Sequence, residues 1–288
     1  MKITIVIVTY NSYSLIYDCL NSIFAHNDIG DDLDVIVVDN ASSDQSKTFS
    51  LIQRVFGDKN ILTFNSGGNV GYGRGNNLGI SKTLSEIVIV MNPDVRLVKP
   101  IFSSIVSEFN KSNIGLAGVS FVDGSLPYYF KPEYSNIYRS LLIKLYVKGN
   151  TYDSKKMYMS GSFLIFDRET FIKAGKFDEK IFMYYEEPDI TNRILAVGKD
   201  VKWLKNLKVL HLAHGRKFNS HLNSIQMHSF EYYCHKYRLP IVESYKRTIL
   251  LLKIKIFGAL IFRKYDKKDL FECKLKACKE RLKVILNN

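Results

Sequence analysis

Runs of apolar, mostly β-branched residues recur along the first part of the chain, at Ile3 to Val8, Val35 to Val38 and Ile87 to Met91. Such runs are typical of strands that are buried on both faces of a parallel sheet. Apolar residues at helical spacing lie between them, namely Leu15, Cys19, Leu20, Ile23 and Phe24, then Phe49, Ile52 and Phe56 after the cap candidates Ser42, Ser43 and Asp44. This alternation of strands and helices predicts an α/β fold.

The pattern continues with three more predicted strands, at Gly115 to Val122, Gly161 to Phe166 and Val201 to Leu210. Residues 123–153, with two prolines and many tyrosines, are predicted to be irregular. From about Asn219 the pattern becomes helical, with helices expected at Ile225 to Tyr237, after Pro240 and at Lys267 to Leu286. We therefore expect a mostly parallel central sheet flanked by helices, followed by a helical C-terminal extension.

The composition is that of a folded protein: of 288 residues, 46% are hydrophobic and 24% are charged. These fractions disfavour disorder, collagen-like repeats and coiled coil. The most apolar stretch, Ile249 to Phe262, is short and contains lysines, so no membrane span is predicted. The start of the chain lacks a signal-peptide pattern and the four cysteines form no CxxC pair, which predicts a cytoplasmic location.

Positive charge is concentrated at the C-terminal end. The net charge is +13, and the residues from Pro240 onward carry 13 Lys and Arg against 5 Asp and Glu. Five apolar residues share helical spacing there, with basic residues nearby: Leu250, Leu251, Ile254, Phe257 and Ile261, with Lys253, Lys255 and Arg263. This pattern predicts peripheral contact with an anionic membrane surface, and the alternative is packing against the catalytic domain or a second subunit. No nucleic-acid-binding signature accompanies the charge.

Three predicted strands end in polar residues. They are Thr9-Tyr10-Asn11, Asp39-Asn40-Ala41-Ser42 and Asn92-Pro93-Asp94. Ligands of open parallel sheets bind beyond the carboxyl ends of the strands. Any one of these tips could be only a turn, but three on one edge favour a binding site there.

The segment from Asn69 to Gly79 contains glycines at 71, 73, 75 and 79. Such a segment lets a backbone approach a ligand closely, although a flexible turn is an equally good interpretation. It is not a Rossmann fingerprint, which would follow the first strand, and it is not a P-loop.

Acidic residues and histidines add candidate chemistry. Asp94 could hold Mg²⁺ or Mn²⁺ against diphosphate oxygens. Glu186, Glu187 and Asp189 surround Pro188, a favoured first helical residue, so a carboxylate held there could take a proton from a hydroxyl. The alternative is that these acids only complement the helix dipole. His211 and His214, after a strand, could reach a metal or a phosphate.

Taken in order, these pieces resemble the inverting GT-A glycosyltransferases of family 2, in particular the bacterial rhamnosyltransferase-like branch. The matching blocks are Val6 to Asn11, Val37 to Asp44, Asn69 to Asn77, Met91 to Asp94, Ser160 to Phe163, Gly175 to Glu179 and Glu186 to Asp189. The resemblance covers about residues 1–220. It implies a GT-A fold with a Rossmann-like sheet, in which residues 1–122 bind the nucleotide sugar, 123–220 bind the acceptor and 221–288 form a basic amphipathic helical extension.

The resemblance also assigns roles to residues. Glu187 stands at the position of the base, where the family commonly has Asp, with Glu186 as the alternative base and Asp189 beside them. Asp94 resembles the surviving carboxylate of an Asp-x-Asp metal motif whose first position is Asn92 here, and His211 matches a histidine that reaches the metal or diphosphate. The expected donor-site residues are Thr9, Tyr10, Asn11, Asp39, Asn69, Gly71, Asn77, Asn92 and Asp94.

The function implied is a metal-dependent, inverting hexosyltransferase of bacterial surface polysaccharide biosynthesis. Its donor would be a dTDP- or UDP-sugar, and its acceptor a glycan or a polyprenyl-diphosphate-linked glycan at the inner face of the membrane. Rhamnose follows from the branch alone, and galactose, glucose and N-acetylated sugars stay open. A nucleotide-sugar-binding protein without transfer activity is the alternative of another class, since Asn92 and Glu187 depart from the family pattern.

Overall fold

The computed structural model describes residues 1–134, 137–212 and 219–287 of the protein. The strands of these residues are β1 (Ile3–Thr9), β2 (Leu33–Asp39), β3 (Ile61–Asn65), β4 (Ile87–Met91), β5 (Val95–Leu97), β6 (Ile114–Phe121), β7 (Tyr128–Phe130), β8 (Met157–Met159), β9 (Phe163–Asp167) and β10 (Asp200–His211). Their helices are α1 (Tyr13–Ala25), α2 (Gln45–Phe56), α3 (Tyr72–Ser81), α4 (Phe102–Lys111), α5 (Ile137–Lys148), α6 (Arg168–Lys173), α7 (Glu186–Ala196), α8 (Ser220–Lys236), α9 (Ile241–Ile261) and α10 (Tyr265–Asn287).

A large mixed sheet organises the fold, with the strand order β3-β2-β1-β4-β9-β6-β10-β5. The pairs β1 with β2, β1 with β4, β2 with β3 and β6 with β10 are parallel. Strand β9 runs antiparallel to β4 and β6, and β5 runs antiparallel to β10. The predicted α/β fold with a mostly parallel central sheet is therefore confirmed.

The chain divides into two compact units, Met1–Lys131 with Ile143–Ala213, and Pro132–Leu142 with His214–Asn288, as far as those ranges are described. The core of the first unit lies where α1 packs on one face of the sheet. Alternate residues of β1 face it, because successive strand residues point to opposite faces. One buried cluster includes Ile3, Ile5 and Ile7 of β1 with Ile16, Leu20 and Ile23 of α1.

The second unit contains α8, α9 and α10. Tyr245, Leu252 and Cys278 are buried at its centre. Arg281 forms two charge-assisted hydrogen bonds with Glu231, at 2.6 and 2.5 Å, and the Tyr245 hydroxyl donates a third at 2.9 Å. Within the described ranges, no helix combines the length and the apolar character that crossing a bilayer requires.

Several elements differ from the sequence prediction. Residues 123–153 are not irregular throughout, since they contain β7 and α5. Strand β3 was absent from the prediction because three of its five residues, Leu62, Thr63 and Asn65, are exposed and the run is short. Helix α7 begins at Glu186, which places Pro188 in the third helical position and not the first.

The glycine segment is also different: residues 72–81 form helix α3 and not a flexible turn. A Cβ at Gly79 would overlap a methyl group of Val6, and one at Gly75 would lie 3.0 Å from a methyl group of Val8. The close approach that these glycines allow is therefore that of α3 to β1. Glycine costs about 0.5–1 kcal/mol relative to alanine in a helix, and this packing offsets that cost.

Candidate active site

The tips of β1 and β2 are joined by the Asp39 carboxylate, which is fully buried. One of its oxygens accepts a hydrogen bond from the Thr9 hydroxyl at 3.0 Å, and the other accepts one from the Ser42 backbone at 2.8 Å. The Asn40 backbone N–H donates to the Thr9 carbonyl at 2.8 Å. This network fixes the shape of the sheet edge at which a nucleotide is expected.

Asn11 closes the same edge from the other side. Its backbone is left-handed, with φ 51°, and its N–H donates to the Ser42 hydroxyl at 2.8 Å. Its side-chain oxygen accepts from the Ser43 N–H at 2.9 Å. Tyr10 projects from this turn with 52% of its surface exposed, so its ring is free to contact a ligand.

The start of α3 borders this edge. Gly71 has φ 86°, and a Cβ there would overlap the Phe182 carbonyl, so only glycine fits without strain. The Asn40 amide donates to the Gly71 carbonyl at 2.9 Å, and the exposed Asn69 accepts from the Gly71 N–H at 3.3 Å. In the described structure the side-chain oxygen of Asn40 is buried beside Gly75 without a hydrogen-bond partner.

The Asn77 side chain, by contrast, forms hydrogen bonds within the protein. Its amide donates to the Phe177 carbonyl at 2.9 Å and its oxygen accepts from the Phe177 N–H at 3.1 Å. Both ends of the amide are thereby used to fasten α3 to the segment that precedes α7. A direct role for Asn77 in donor binding stays a prediction.

Asp94, which follows β4, faces His211, the last residue of β10. The Asp94 Oδ2 and His211 Nε2 atoms are 3.5 Å apart, and both side chains are largely buried. The antiparallel pairing of β5 with β10 sets His211 opposite Val95, next to Asp94. Asn92 supports this turn through its N–H, which donates to the Ser162 carbonyl at 3.0 Å. His214 lies outside the described residues.

The pair is suited to hold a divalent cation. Asp94 Oδ1 and His211 Nε2 are buried, and neither has a hydrogen-bond partner among the residues that the structure covers. Carboxylate oxygen suits Mg²⁺ and Mn²⁺, and such ions are commonly bound by one or two protein ligands plus substrate phosphates. No cluster of three or more His, Cys, Asp or Glu occurs in the described ranges, so a cation here would take its other ligands from elsewhere.

Glu187 lies in the first turn of α7 and is partly buried. Its carboxylate lies directly over Gly161, where a Cβ would overlap it. Burial raises the pKa of Glu187 to about 6, against the opposing effect of backbone hydrogen bonds. A carboxylate with this pKa is mostly ionised at pH 7 and is more basic than an ordinary glutamate.

The neighbouring acids have different surroundings. Glu186 is buried, and burial followed by repulsion from Glu187 raises its pKa well above the usual value. Asp189 is fully buried and is paired with Arg193 at 2.6 Å. Asp189 therefore stabilises the packing of α7. Of the three acids in this helix, Glu187 is the one that is partly exposed and has a pKa close to neutral pH.

The Glu187 and Asp94 carboxylates both lie near Tyr72 and the turn at residues 160–162. The Tyr72 hydroxyl donates to the Gly161 carbonyl at 2.7 Å, and the next residue, Ser162, accepts from the Asn92 N–H. Burial raises the pKa of Tyr72, as do, in order, the carboxylates of Glu187, Glu186 and Asp94. A single turn, 160–162, thus connects the candidate base with the candidate metal ligands.

Comparison with known sequences settles the family. The family model described as Glycosyl transferase family 2 matches residues 4–175, more than half of the chain. The chain belongs to glycosyl transferase family 2. The match contains the β1, β2 and β4 tips and the 160–162 turn, and it ends before α7.

Two curated relatives of this family 2 chain are glycosyltransferases. It is 27% identical over 165 residues to the low-salt glycan biosynthesis hexosyltransferase Agl10 of Haloferax volcanii, covering 55% of this chain and 52% of that protein. It is 24% identical over 181 residues to the dTDP-rhamnosyl transferase RfbF of Shigella flexneri, covering 62% and 59%. The chain thus spans a little more than half the length of the curated relatives it matches.

Solved structures share the fold. The mannosyltransferase PcManGT of Pyrobaculum calidifontis, in complex with GDP-Man and Mn²⁺, superimposes with a TM-score of 0.63 at 16% identity, covering 99% of this chain and 78% of that one. TarS 1–349 of S. aureus, in complex with UDP, gives 0.57 at 13% identity, covering 97% and 92%. The predicted GT-A fold of this family 2 member is confirmed.

Two residues of the site carried no separate sequence prediction. Tyr72 lies within the glycine segment, and Gly161 lies within the Ser160 to Phe163 block that matched the family. Their link to Glu187 depends on contacts between residues about 90 and 26 positions apart in the chain. The family blocks indicate that these residues matter, but not how they meet.

Proposed function

We propose that this family 2 chain transfers a hexose from a nucleoside-diphosphate sugar to an acceptor hydroxyl, with inversion at the anomeric carbon. The observation that carries the proposal is the Glu187 carboxylate, held over Gly161 with its pKa raised to about 6 and connected through one turn to Asp94. An ionised, partly exposed carboxylate of this kind can act as a general base.

The proposed step is a single displacement. Glu187 accepts the proton of the acceptor hydroxyl while the acceptor oxygen forms a bond to the anomeric carbon. The bond from that carbon to the diphosphate oxygen breaks, and its electron pair leaves with the nucleoside diphosphate. Attack from the opposite face inverts the configuration, and no covalent sugar intermediate is required.

Asp94 and His211 are the residues that would hold Mg²⁺ or Mn²⁺. A bound cation would offset the negative charge that develops on the diphosphate. The buried, unpartnered Asp94 Oδ1 supports this assignment, since a buried polar atom left unsatisfied is costly. The mannosyltransferase neighbour, whose structure contains Mn²⁺, supports it at the level of the fold.

For the donor we propose a dTDP- or UDP-sugar, with rhamnose as the first sugar to test. The relative named as a dTDP-rhamnosyl transferase supports rhamnose, and the neighbour solved with UDP supports uridine donors of other hexoses. The acceptor proposed is a glycan or lipid-linked glycan in bacterial surface polysaccharide synthesis, reached from the cytoplasmic side of the membrane.

The test is single-turnover consumption of dTDP-rhamnose, UDP-glucose, UDP-galactose and UDP-N-acetylglucosamine with Mn²⁺, each in the presence of octyl glycoside acceptors. The proposal expects one donor to be consumed by the wild type, with a β- or α-product of inverted configuration by NMR. Retained configuration would refute inversion. Tight donor binding without consumption of any donor would favour the binding protein without transfer activity.

A further inference from the structure

The second unit presents an uncovered apolar stripe along α9. Leu250, Ile254, Phe257 and Ile261 are all exposed, and Phe257 exposes 66% of its surface. These residues are spaced by four, three and four positions, so they lie on one face of the helix. In soluble monomers such contiguous apolar surface usually marks a contact site.

The opposite face of α9 is apolar as well. Tyr245, Leu252 and Ala259 are buried there, and Tyr245 and Leu252 belong to the core of the second unit. Helix α9 is therefore apolar on two faces although only one of them is packed within the described residues. A surface helix normally buries one apolar face and keeps polar residues opposite, so a second, uncovered apolar face indicates a contact with protein or lipid.

The stripe continues through the turn after α9 to the first residue of α10. Phe262 exposes 70% of its surface and Tyr265 exposes 60%. Aromatic side chains of this kind are favoured at the interface between lipid and water, because one end is apolar and the other can stay hydrated.

Basic residues surround the stripe. Residues 246–268 contain eight Lys and Arg against a single acid, Asp266. Lys253 is exposed between Leu250 and Phe257, and Arg263 and Lys264 are exposed in the turn. Glu243 lies on the same face at the start of α9, but it is paired with Lys246 at 2.9 Å.

This charge decides between two occupants of the stripe. A second copy of the chain would bring one basic stripe against another, and like charges facing each other oppose association. An anionic bilayer accepts both features, because apolar side chains enter the acyl boundary while Lys and Arg contact the headgroups.

We propose that the α9 stripe and the following turn, residues 250–265, form a docking surface for a membrane that contains anionic lipid. This goes beyond the transfer chemistry and does not depend on it, because vesicle binding requires no donor, acceptor or Glu187. Docking of this type lays α9 along the surface and leaves the helix outside the hydrocarbon centre.

The experiment is co-sedimentation of the full chain with vesicles of phosphatidylcholine alone or with about 30 mol% phosphatidylserine. We expect at least about 25-fold tighter binding to the anionic vesicles, weakened by high salt. Each Lys or Arg near such a surface strengthens binding about fivefold, so the Lys253→Gln/Lys264→Gln variant should bind about 25-fold more weakly.

The apolar contribution is tested with Phe257→Ser/Phe262→Ser, whose side chains are exposed, so that the fold is expected to be kept. This variant should lose binding to both kinds of vesicle. The matched controls are Leu84→Ser, an exposed leucine of the first unit, and Lys111→Gln/Lys173→Gln, an exposed basic pair there; both should bind like the wild type.

Three results would overturn the proposal. The first is equal binding to neutral and anionic vesicles, and the second is an unchanged affinity of the Phe257→Ser/Phe262→Ser variant. The third is a lipid-free dimer, seen by light scattering, that the Phe257→Ser/Phe262→Ser variant converts to monomer while the wild type ignores vesicles. If the wild-type protein binds anionic vesicles as expected but transfers no sugar, only the transferase assignment is refuted.

Discussion

Replacing Glu187 by Gln should stabilise the protein at neutral pH while it removes transfer activity. In the folded state burial raises the pKa of Glu187 from 4.5 to about 6. Folding therefore favours the protonated form of Glu187. Its contribution to the free energy of unfolding is fully present below about pH 4.5 and is lost as the pH rises through 6. Above pH 6 the ionised side chain costs folding free energy that a neutral amide of the same shape does not.

The magnitude follows from the size of the shift. About 1.5 pKa units at 1.36 kcal/mol per unit gives about 2 kcal/mol. Glu187→Gln should therefore raise the free energy of unfolding by about 2 kcal/mol at pH 8 and leave it nearly unchanged at pH 4. Because the general base is lost, kcat should fall about 10²- to 10⁴-fold, with the donor dissociation constant unchanged.

Urea unfolding at pH 4 and pH 8, combined with transfer kinetics, measures both effects. The matched control is Glu272→Gln, which replaces an exposed glutamate of α10. This variant should show neither the stabilisation at pH 8 nor the loss of kcat. Equal stability of Glu187→Gln and wild type at pH 8 would refute the claim that burial of the ionised Glu187 side chain destabilises the fold. An unchanged kcat would remove Glu187 from the mechanism.

Four further substitutions test other parts of the site and fold. Asp94→Asn should weaken Mn²⁺ binding in the presence of nucleoside diphosphate by more than about tenfold in calorimetry, and an unchanged affinity would place the cation elsewhere. Tyr72→Phe removes the hydrogen bond to the Gly161 carbonyl; kcat should fall about fivefold with donor affinity kept, whereas a loss of donor affinity alone would contradict this positioning. Gly79→Ala should cost about 1–3 kcal/mol in chemical unfolding because its Cβ overlaps β1, whereas Gly258→Ala, in open space on α9, should stabilise the protein by up to about 1 kcal/mol.

The strands at the centre of the sheet were predictable because their neighbours on both faces are apolar. Ile3 to Val8 and Ile87 to Met91 were predicted to within one residue, since a buried parallel strand is a continuous β-branched run. Helix α3 was not, because three of its ten residues, Gly73, Gly75 and Gly79, are glycine, and propensity alone opposes a helix. Its packing against β1 overrides that local preference.

The site illustrates the same division. Polar tips at the ends of β1, β2 and β4 can be predicted from sequence because parallel strands end at one edge. The meeting of Asp94 with His211 depends on the antiparallel pairing of β5 with β10, about 115 residues apart, for which the sequence carries no local signal. Only the resemblance to a family suggested that these two residues share a ligand.

The central claim is that a nucleoside diphosphate binds at the edge formed by β1, β2 and β4, together with a cation at Asp94 and His211. Isothermal titration calorimetry of the purified chain with dTDP, UDP and GDP, with Mn²⁺ and with chelator, tests it most directly. The account predicts that one of these nucleotides binds and that chelation weakens its binding at least about tenfold. Folded protein that binds none of the three nucleotides, with or without Mn²⁺, would contradict it.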